Sequence, residues 1–560
     1  MTHLANRRNT LLFSLLLLLL LLLVAITVTI SSLSAAARSH AVLRSTCAAA
    51  RFPGLCLSSI SSSPSHLASI SNPTDVIHAS LSLALSSIHR SALHVRQLSA
   101  SRRNLTARES TALADCLEMF DSSLDELRGA DAGLREGNTR YSVADVEILV
   151  SAAMTNQESC ADGFSHDSAD RGVRAGIADG LDHVTHMCGN ALAMIRNMTT
   201  NSSAEGVALK TARRLVGFPV DKEGLPEWMA KDDRRRLVGP TEEVEADAVV
   251  AADGSGDYAT VQEAVDAAPA KSKKRWVIRI KAGVYQENVE VSKKKKNIMF
   301  VGDGRSDTVI TGNRNVVDGY TTFKSATLAV SGDGFLGRGL RIENTAGPSK
   351  HQAVALRVGS DLSAFYDCDI VGYQDTLYLH SLRQFFRGCL IQGTVDFVFG
   401  NAAAVLQDCD LQARRPGPNQ KNMITAQGRN DPDEPTGISI HKSRITAASD
   451  LAPVVGSVRT YLGRPWKEYS RTVVMESEIS DVVDPDGWHV WDGEFGLDTL
   501  YYGEYMNTGP GSGTDQRVGW KGFKVITSAT EAEQFTADNF IQGSGWLDNT
   551  GIPFDLGLSE

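Results

Sequence analysis

The sequence predicts a two-part protein, an all-α four-helix bundle followed by an all-β right-handed parallel β-helix. Three observations support this division. The chain has 560 residues, more than one ordinary domain needs. Residues 39–200 place apolar side chains at the three- and four-residue spacing of amphipathic helices. Residues 246–560 instead contain short runs of Val, Ile, Phe and Tyr between Gly, Asn and Asp, and some of these runs recur about every 20 residues.

The composition indicates a folded protein that does not bind nucleic acid. Apolar residues make up 42% of the chain and charged residues 22%, which is typical of globular proteins. The net charge is −10, and no basic stripe with interleaved aromatic residues occurs. We therefore expect no nucleic-acid partner.

The N-terminus predicts entry into the secretory pathway. Arg7 and Arg8 precede "LLFSLLLLLLLLLVAITVTI", an uncharged run at residues 11–30 that is long enough to cross a bilayer. Positive charge before such a run keeps the first residues cytoplasmic and sends the remainder to the lumen. Residues 1–38 are therefore either a retained signal anchor, with one membrane span in the precursor, or a long cleaved signal peptide.

Three N-glycosylation sequons agree with this route. They begin at Asn104, Asn197 and Asn201, and all of them lie in the first half of the chain. We expect these asparagines to carry glycans in the secreted protein.

The helical half contains five cysteines, an odd number for an oxidising compartment. The favoured arrangement pairs Cys47 with Cys56 in an N-terminal hairpin and Cys116 with Cys160 between two helices, and it leaves Cys188 unpaired. With these four paired cysteines and its helical pattern, the region resembles the invertase and pectin methylesterase inhibitor domain.

Residues 201–245 predict a linker with basic processing sites. The stretches "TARRLVGFP" and "KDDRRRLVGP" each place consecutive arginines before Leu-Val. Basic pairs in an exposed segment flanked by Pro and Gly are accessible to a processing protease, here one of the subtilase type. The first site is at residues 213–214. The favoured site, which is nearer to the second half, consists of Arg234, Arg235 and Arg236. An uncleaved charged linker is the alternative.

The second half predicts short coils that stack on one another. The stretches "SAFYDCDIVGYQD", "RQFFRGCLIQGTVD" and "AAVLQDCDLQAR" align with their cysteines at positions 368, 389 and 409. This alignment gives a period of about 20 residues, and the leucine–asparagine signature of leucine-rich repeats is absent. Residues one period apart would lie about 4.8 Å apart. Cys389 and Cys409 would then be neighbours that could bridge.

Two aspartates inside strand-like segments are the candidate catalytic pair. Asp375 and Asp396 are 21 residues apart, and Gln352 and Gln374 lie at similar spacing. Stacked coils would place all four side chains in one column on one outer face. A hydrogen-bonded ladder of polar side chains is the structural alternative.

Such a pair can divide the roles of acid and nucleophile. Two close carboxylates do not both ionise easily, so one titrates high and the other low. Arg464 of "LGRPW" can pair with both oxygens of Asp396 and hold it ionised, which leaves the proton on Asp375. An ionised Asp is a nucleophile and a protonated one a general acid. The amides of Gln352 and Gln374 can donate to a developing oxyanion.

The surroundings of this column suit a sugar. Trp466, Tyr373 and Phe399 offer flat apolar faces for a sugar ring, although Trp466 could instead only pack at a turn. Motifs for other chemistries do not occur, among them G-x-S-x-G, H-E-x-x-H and the Walker A loop, and the 13 histidines form no metal-like cluster. The proposed chemistry requires neither a metal nor an organic cofactor.

Eight motifs of the second half resemble the plant pectin methylesterases (pectinesterases), in that family's order. They are "GDYATVQEAVDAAP", "AGVYQENV", "GYTTFKSAT", "HQAVALRV", "GYQDTLYLHSLRQFFRGC", "GTVDFVFGNA", "LGRPWKEYSRTV" and "VGW". The resemblance implies that Asp396 is the nucleophile and Asp375 the proton donor, and that Gln352 and Gln374 stabilise the oxyanion.

The same resemblance implies further roles. Arg464 and Trp466 would position the catalytic aspartate and the substrate, and Thr322 of "GYTTF" would contact the substrate. The family disulfide falls on Cys389 and Cys409. Both linker sites depart from the family's usual Arg-Arg-Leu-Leu by ending in Leu-Val, which leaves the cleavage position open.

The expected function is hydrolysis of the methyl esters of galacturonic acid in pectin, in the cell wall and apoplast. The helical half would inhibit the second half until cleavage, or a free inhibitor protein would bind the enzyme. A β-helix depolymerase is the enzymatic alternative, but neither a calcium site with a catalytic Arg or Lys nor several Asp with a His is evident. The non-enzymatic alternative is an inhibitor or binding module.

Overall fold

The helical half and the β half are both present in the computed structural model, which describes residues 2–102, 104–135, 141–164, 171–205 and 245–559. Both predicted processing sites, at residues 213–214 and 234–236, lie outside the described residues.

The first half of the described chain is helical. Its helices are α1 (Thr2–Cys47), α2 (Pro53–Ser61), α3 (Pro64–Ser69), α4 (Pro73–Ser101), α5 (Ala107–Gly133), α6 (Val143–Asp162) and α7 (Arg171–Glu205). Helices α4 and α6 each pack against both α5 and α7, which confirms the predicted four-helix bundle. Three helices begin at capping boxes that satisfy their first N–H groups, formed by Asn72 with Asp75, Thr106 with Glu109 and Ser142 with Asp145.

Helix α1 joins the apolar N-terminal segment to the bundle. Its window Leu12–Thr29 is apolar and exposed, and it is long enough to cross a membrane by length and composition. The last turns of the same helix enter the bundle, where Leu43 and Cys47 are buried.

Both disulfides predicted for the helical half are present. Cys47 is bonded to Cys56, and Cys116 is bonded to Cys160, with Cα atoms 5.7 and 4.7 Å apart. Cys188 is a buried free thiol. The second disulfide fixes α5 to α6.

The sequons of the helical half lie at its surface where they are described. Asn104 is exposed in a turn before α5, and Asn197 is exposed near the end of α7. Asn201 also falls within α7.

Three parallel sheets form the second half. An eleven-stranded sheet contains β1 (Ala248–Val250), β2 (Trp276–Ile280), β5 (Ile298–Gly302), β8 (Leu336–Arg338), β11 (Ser363–Tyr366), β14 (Arg383–Arg387), β17 (Ala403–Gln407), β20 (Gly437–His441), β23 (Arg471–Met475), β25 (Tyr501–Tyr505) and β26 (Phe523–Val525). A seven-stranded sheet contains β4 (Val289–Val291), β7 (Leu328–Val330), β10 (Leu356–Val358), β13 (Leu377–Leu379), β16 (Val398–Gly400), β19 (Asn422–Gln427) and β22 (Thr460–Gly463). An eight-stranded sheet contains β3 (Gly283–Gln286), β6 (Thr308–Gly312), β9 (Arg341–Asn344), β12 (Asp369–Val371), β15 (Leu390–Gly393), β18 (Asp410–Ala413), β21 (Arg444–Ala447) and β24 (Glu478–Ile479).

From β2 to β22 consecutive strands belong to different sheets, so each coil in this part contributes one strand to each sheet. Ser363 of β11 lies opposite Gln384 of β14, and Arg383 of β14 lies opposite Ala403 of β17. The steps between these partners match the repeat in the sequence, and the architecture confirms a parallel β-helix. Inside the coils, Phe335, Phe365 and Phe386 stack with ring centroids 5.5 and 5.0 Å apart.

Short helices cover one end and one face of the β-helix. Helix α8 (Val261–Ala267) packs on β1, β2 and β4 at the first coil. Helices α9 (Ala529–Ala532) and α10 (Ala537–Ile541) follow the last strand, and α10 packs against β14 and β17 of the eleven-stranded sheet.

The predicted Cys389–Cys409 disulfide is wrong for this structure. Cys368, Cys389 and Cys409 do stack in three successive coils, because the residues that follow them pair with one another. All three are buried free thiols. Cys389 and Cys409 each point into the core and donate to a carbonyl oxygen one coil earlier, those of Phe365 and Phe386, both at 3.6 Å. The stacked thiols also interact with one another, but no S–S bond joins them.

The bundle packs against the outer face of the seven-stranded sheet. The apolar core of the bundle continues onto that face, where it meets Phe323, Val354, Tyr378 and Phe399. Ion pairs surround this contact, and they join Asp145 to Arg383, Glu126 to Lys293, Glu118 to Lys324 and Arg51 to Asp431. The helical half therefore covers the face on which the sequence places the candidate catalytic residues.

Candidate active site

Asp375 and Asp396 occupy equivalent positions in two successive coils. Each lies two residues before a strand of the seven-stranded sheet, and in those strands Leu377 lies opposite Val398. Neighbouring strands of a sheet are about 4.8 Å apart, so the two carboxylates come from adjacent turns of the same corner. The aspartates therefore share the column that their spacing indicates.

The two glutamines are one residue out of register with each other. Leu356 of β10 lies opposite Leu377 of β13. Gln374 lies three residues before Leu377, whereas Gln352 lies four residues before Leu356. Both side chains still line the cavity that contains the aspartates. A single strict column of all four side chains is therefore wrong, but the four groups do converge.

Both aspartates have a left-handed backbone conformation, with φ of 63° at Asp375 and 52° at Asp396. This region is uncommon for residues other than glycine, although Asp adopts it more readily than most. The same conformation recurs at another corner of the coils, at Asp408 and Lys442 for example. It is thus a general means of turning the chain between sheets, used here at the two carboxylates.

Arg464 binds both oxygens of Asp396. Its Nε donates to Oδ1 at 2.8 Å and its Nη2 to Oδ2 at 2.6 Å. The guanidinium also lies 4.3 Å from the centroid of the Trp491 ring. A bidentate charged pair of this kind favours the ionised form of the carboxylate and fixes its orientation.

Asp375 has the opposite environment. Burial raises its pKa well above that of an ordinary carboxyl group, and the negative charge of Asp396 raises it further, while Arg464 partly opposes both effects. The pair can therefore hold one ionised and one protonated carboxyl group at the same pH.

The two aspartates open into a cavity of about 500 Å³ between the two halves of the chain. Its β-helix wall contains Thr321, Thr322, Phe323, Gln352, Gln374, Asp375, Tyr378, Asp396, Phe399, Ala426, Arg464, Trp466, Lys467 and Trp491. Its helical wall contains Ala112, Asp115, Met119, Ser159, Asp162 and Gly163 of α5, α6 and the turn that follows α6. Apart from Tyr373, every residue that the sequence predicted for substrate contact lies in this lining.

Tyr373 does not line the cavity. Its ring lies against Arg414, whose guanidinium carbon is 4.0 Å from the ring centroid. Its hydroxyl accepts a hydrogen bond of 2.8 Å from the same arginine. The prediction of a sugar-facing Tyr373 is therefore not supported, because this arginine already occupies the ring.

Aromatic rings form one side of the cavity. The Tyr378 ring stacks on that of Phe399 with centroids 4.2 Å apart, and Trp466 meets Phe399 edge-on at 5.9 Å. A Cβ atom on Gly428 would lie 2.8 Å from the Trp466 ring, so the absence of a side chain there makes room for the indole. Such a surface suits the apolar face of a sugar.

Sequence reasoning missed six β-helix residues of the lining. They are Thr321, Phe323, Tyr378, Ala426, Lys467 and Trp491. For Tyr378 a signal exists: Leu377 and Leu379 are core residues, so strand alternation turns Tyr378 outward, and it lies opposite Phe399. For Lys467, its position directly after Trp466 was a usable signal.

Sequence reasoning also missed the helical wall of the cavity. Asp115 of α5 accepts a hydrogen bond of 2.6 Å from the Thr321 hydroxyl, and Asp162 of α6 forms an ion pair of 3.1 Å with Lys467. The Ser159 hydroxyl lies 3.2 Å from that of Tyr378. Nothing in the helical sequence indicated which of its faces would enter the cavity.

Comparison with known families assigns each half of the chain to a known domain family. Residues 247–544 match the family model Pectinesterase, and residues 41–194 match the family model Plant invertase/pectin methylesterase inhibitor. The two matches correspond to the β-helix and to the bundle.

Individual relatives cover nearly the whole chain. Pectinesterase 1 of Citrus sinensis is 57% identical over 525 residues, which are 93% of this chain and 89% of that protein. Pectinesterase/pectinesterase inhibitor 3 of Arabidopsis thaliana is 56% identical over 542 residues, which are 93% of this chain and 91% of that protein.

A solved structure matches the second half alone. The pectin methylesterase from carrot superposes with a TM-score of 0.56 at 69% sequence identity, and the match covers 56% of this chain and 99% of that one. A β-helix of this kind therefore exists as a separate folded chain. The chain described here belongs to the pectinesterase family of carboxylic ester hydrolases, and a domain of the plant invertase/pectin methylesterase inhibitor family precedes its β-helix.

Proposed function

We propose that the β-helix hydrolyses the methyl esters of homogalacturonan, the galacturonic acid polymer of pectin, and releases methanol and a free carboxylate. The single observation that carries this proposal is the asymmetry of the aspartate pair. Arg464 binds both oxygens of Asp396, while Asp375 is buried beside them with a raised pKa. One carboxyl group is therefore prepared as a nucleophile and the other as an acid.

In the first half-reaction the ionised Asp396 attacks the ester carbonyl carbon and forms a tetrahedral oxyanion. The side-chain amides of Gln352 and Gln374, which line the same cavity, donate to this oxygen. As the C–O bond to methanol breaks, the proton of Asp375 passes to the leaving oxygen. The products are methanol and an anhydride between Asp396 and the sugar carboxyl group.

In the second half-reaction water attacks that anhydride. Asp375, now ionised, accepts the proton of the water, and the Asp396 carboxylate leaves. Both residues thus return to their starting states. Arg464 remains bound to Asp396 throughout, so it stabilises the carboxylate as nucleophile and as leaving group.

The substrate would bind along the aromatic side of the cavity. Trp466 and Phe399 offer their faces to the sugar ring, and Thr322 lies in the same lining. The chemistry needs neither a metal ion nor an organic cofactor, because the attacking and protonating groups are both supplied by the chain.

The test of this chemistry is methanol release by Asp396→Asn. An amide is not a competent nucleophile, so we expect a loss of about 10³-fold or more in kcat. Asp408→Asn is a matched control, because Asp408 shares the left-handed conformation but its side chain is 64% exposed on another corner. Ordinary turnover by Asp396→Asn would refute the nucleophile. An unchanged polymer viscosity during methanol release would exclude depolymerisation.

We further propose that the helical half inhibits the β-helix in the intact chain. Its support is the position of α5 and α6, which form a wall of the catalytic cavity. Cleavage of the linker at residues 234–236, or alternatively at 213–214, by a subtilase-type protease would then release the active enzyme. Equal methanol release by the intact chain and the cleaved chain would refute the inhibition.

The proposed setting is the plant cell wall. The apolar window Leu12–Thr29 of α1 is consistent with a signal peptide or a membrane anchor of the precursor. Secretion would expose the sequons at Asn104, Asn197 and Asn201 to glycosylation. The mature N-terminus of secreted material, measured by mass spectrometry, distinguishes a retained anchor from a cleaved one.

A further inference from the structure

Lys467 lies in the catalytic cavity, directly after Trp466 in the chain. Its ammonium group is 5.3 Å from the centroid of the Trp466 ring, and its side chain is only 16% exposed. The positive charge is therefore held at the sugar-binding surface instead of extending into solvent.

All ion pairs that Lys467 makes among the described residues are with α6. Its Nζ lies 3.2 Å from Glu158 Oε2 and 3.1 Å from Asp162 Oδ2. No described carboxylate of the β-helix lies within ion-pair distance of it. When the helical half leaves, this ammonium group loses both of its partners.

The other basic residues at the same contact differ from Lys467. Arg383 pairs with Asp361 and Lys324 with Glu290, so each keeps a carboxylate of the β-helix in addition to its partner on the bundle. Lys293 pairs with Glu126 of the bundle but does not line the cavity. Lys467 thus lines the cavity and depends on the bundle for its counter-charge.

The bundle places a second carboxylate in the same cavity. One oxygen of Asp115 accepts the hydrogen bond from Thr321, and the other is buried without a hydrogen-bond partner in the part of the chain that the structure describes. The helical wall therefore presents carboxylates at two points of a cavity that, on the proposed function, receives a chain of uronic acids. A free uronate carboxylate has the same chemistry as the side chains of Glu158 and Asp162.

We propose that Lys467 binds the free carboxylate of a galacturonate unit next to the ester that reacts at Asp396. This assignment rests on the proposed function and deepens it: Lys467 favours esters that have an already de-esterified neighbour. Glu158 and Asp162 of α6 occupy this carboxylate site in the intact chain, so the bundle blocks the cavity partly by imitating the product.

The test uses the β-helix portion, released from the folded full chain by cleavage of the linker, because the solved carrot chain is such a portion without a helical half. Two substrates are compared, a hexagalacturonate with one methyl ester and five free carboxylates, and a fully methyl-esterified hexagalacturonate. For Lys467→Met we expect KM for the singly esterified substrate to rise about tenfold, with kcat within about twofold. We expect KM for the fully esterified substrate to stay within about twofold, because it offers no free carboxylate.

Two further variants separate charge from packing. Lys467→Arg keeps the positive charge and should keep most of the preference for the singly esterified substrate. Lys524→Met removes a lysine that pairs with Glu531 and is not part of the cavity lining, and it should change neither KM. Equal KM changes for both substrates in Lys467→Met would overturn the proposal, since they would indicate only a packing role beside Trp466.

Binding of unesterified hexagalacturonate provides a readout that does not depend on turnover. Lys467→Met should weaken its competitive inhibition, or its binding measured by calorimetry, about tenfold, and the effect should shrink as salt is raised. Unchanged binding would overturn the proposal. If the wild-type portion released no methanol from either ester, the proposed function would fail, and this binding measurement would still decide the role of Lys467.

Discussion

The guanidinium of Arg464 binds both carboxylate oxygens of Asp396, at 2.8 and 2.6 Å, although the two residues are 68 positions apart in the chain. Asp396 lies two residues before β16. Arg464 directly follows β22, which is separated from β16 by one strand of the seven-stranded sheet. The pair therefore depends on the correct stacking of the intervening coils.

Arg464→Lys should lower kcat by about 10- to 100-fold. Lysine keeps the charge but cannot make two parallel hydrogen bonds, and a charged hydrogen bond contributes about 1.5–3 kcal/mol. Methanol release from methylated pectin measures the effect. Arg414→Lys is a suitable control, because Arg414 binds Asp450 and Tyr373 outside the cavity lining. If Arg464→Lys lowered kcat no more than Arg414→Lys does, the proposed role of Arg464 would be contradicted.

Asp375→Asn should lower kcat by about 10²- to 10⁴-fold and remove the alkaline limb of the pH profile. In the proposed mechanism Asp375 must hold its proton to protonate methanol, and burial together with the charge of Asp396 raises its pKa well above the usual range. Wild-type activity is thus present below this pKa and is lost as pH rises through it. An alkaline limb that persists in Asp375→Asn would assign that limb to another group.

Gly428→Ala should raise KM for pectin more than it lowers kcat. The new Cβ would lie 2.8 Å from the Trp466 ring and would displace the indole from the sugar-binding surface, while Asp375 and Asp396 stay in place. Gly456→Ala is the matched control, because a Cβ there meets no described atom within 4 Å. If both variants had wild-type KM, the indole would not contribute to substrate binding.

Inhibition by the helical half should weaken as pH rises towards about 6. Burial raises the pKa of Asp115 in the docked state to about 6, although the Thr321 hydrogen bond and the nearby Lys324 oppose the shift. Asp115 therefore takes up a proton on docking when the pH lies between the ordinary Asp pKa of about 3.9 and this value. Between these two pH values, the factor by which Asp115 increases the docking equilibrium constant should fall about tenfold per pH unit. Above about pH 6 this factor should remain low.

The measurement is the ratio of methanol release by cleaved and intact chain between about pH 4 and 7. Asp115→Asn should flatten this ratio in that window. Asp125→Asn, on the same helix but 60% exposed, should leave the pH dependence as in the wild type. The same slope in Asp115→Asn and in the wild type would assign the dependence to other interface groups.

The aspartate pair could be predicted from the sequence because its spacing equals the period of the coil. Once that period is recognised, Asp375 and Asp396 are expected to lie side by side. The prediction of the fold therefore also predicts the position of the aspartate pair. The glutamines and Tyr373 required a register accurate to one residue. Repeat spacing does not determine that register, because each corner turns within a few residues. Gln352 therefore lines the cavity but lies outside the predicted column. Tyr373 is bound to Arg414 and does not line the cavity.

The helical wall could not be predicted, for a different reason. Amphipathic spacing shows which side of α5 and α6 faces the bundle core, but the polar side that carries Asp115 and Asp162 looks like any solvated surface. Only the docking of the two halves shows that these residues line the cavity. The Cys389–Cys409 prediction was wrong at a finer level, since stacking makes two thiols neighbours whether or not they are oxidised to a disulfide.

The stacking of equivalent corners also limits which changes in length the protein can tolerate. Asp375 and Asp396 are separated by a single coil, so a whole coil inserted upstream of Gln352 or downstream of Trp466 would lengthen the groove and leave the two carboxylates adjacent. An insertion of even one coil between them would double their separation. A coil inserted between Asp396 and Arg464 would separate this carboxylate from the guanidinium that binds it. Divergence in chain length among active enzymes of this architecture should therefore be confined to the two ends of the stack and to the loops that leave it.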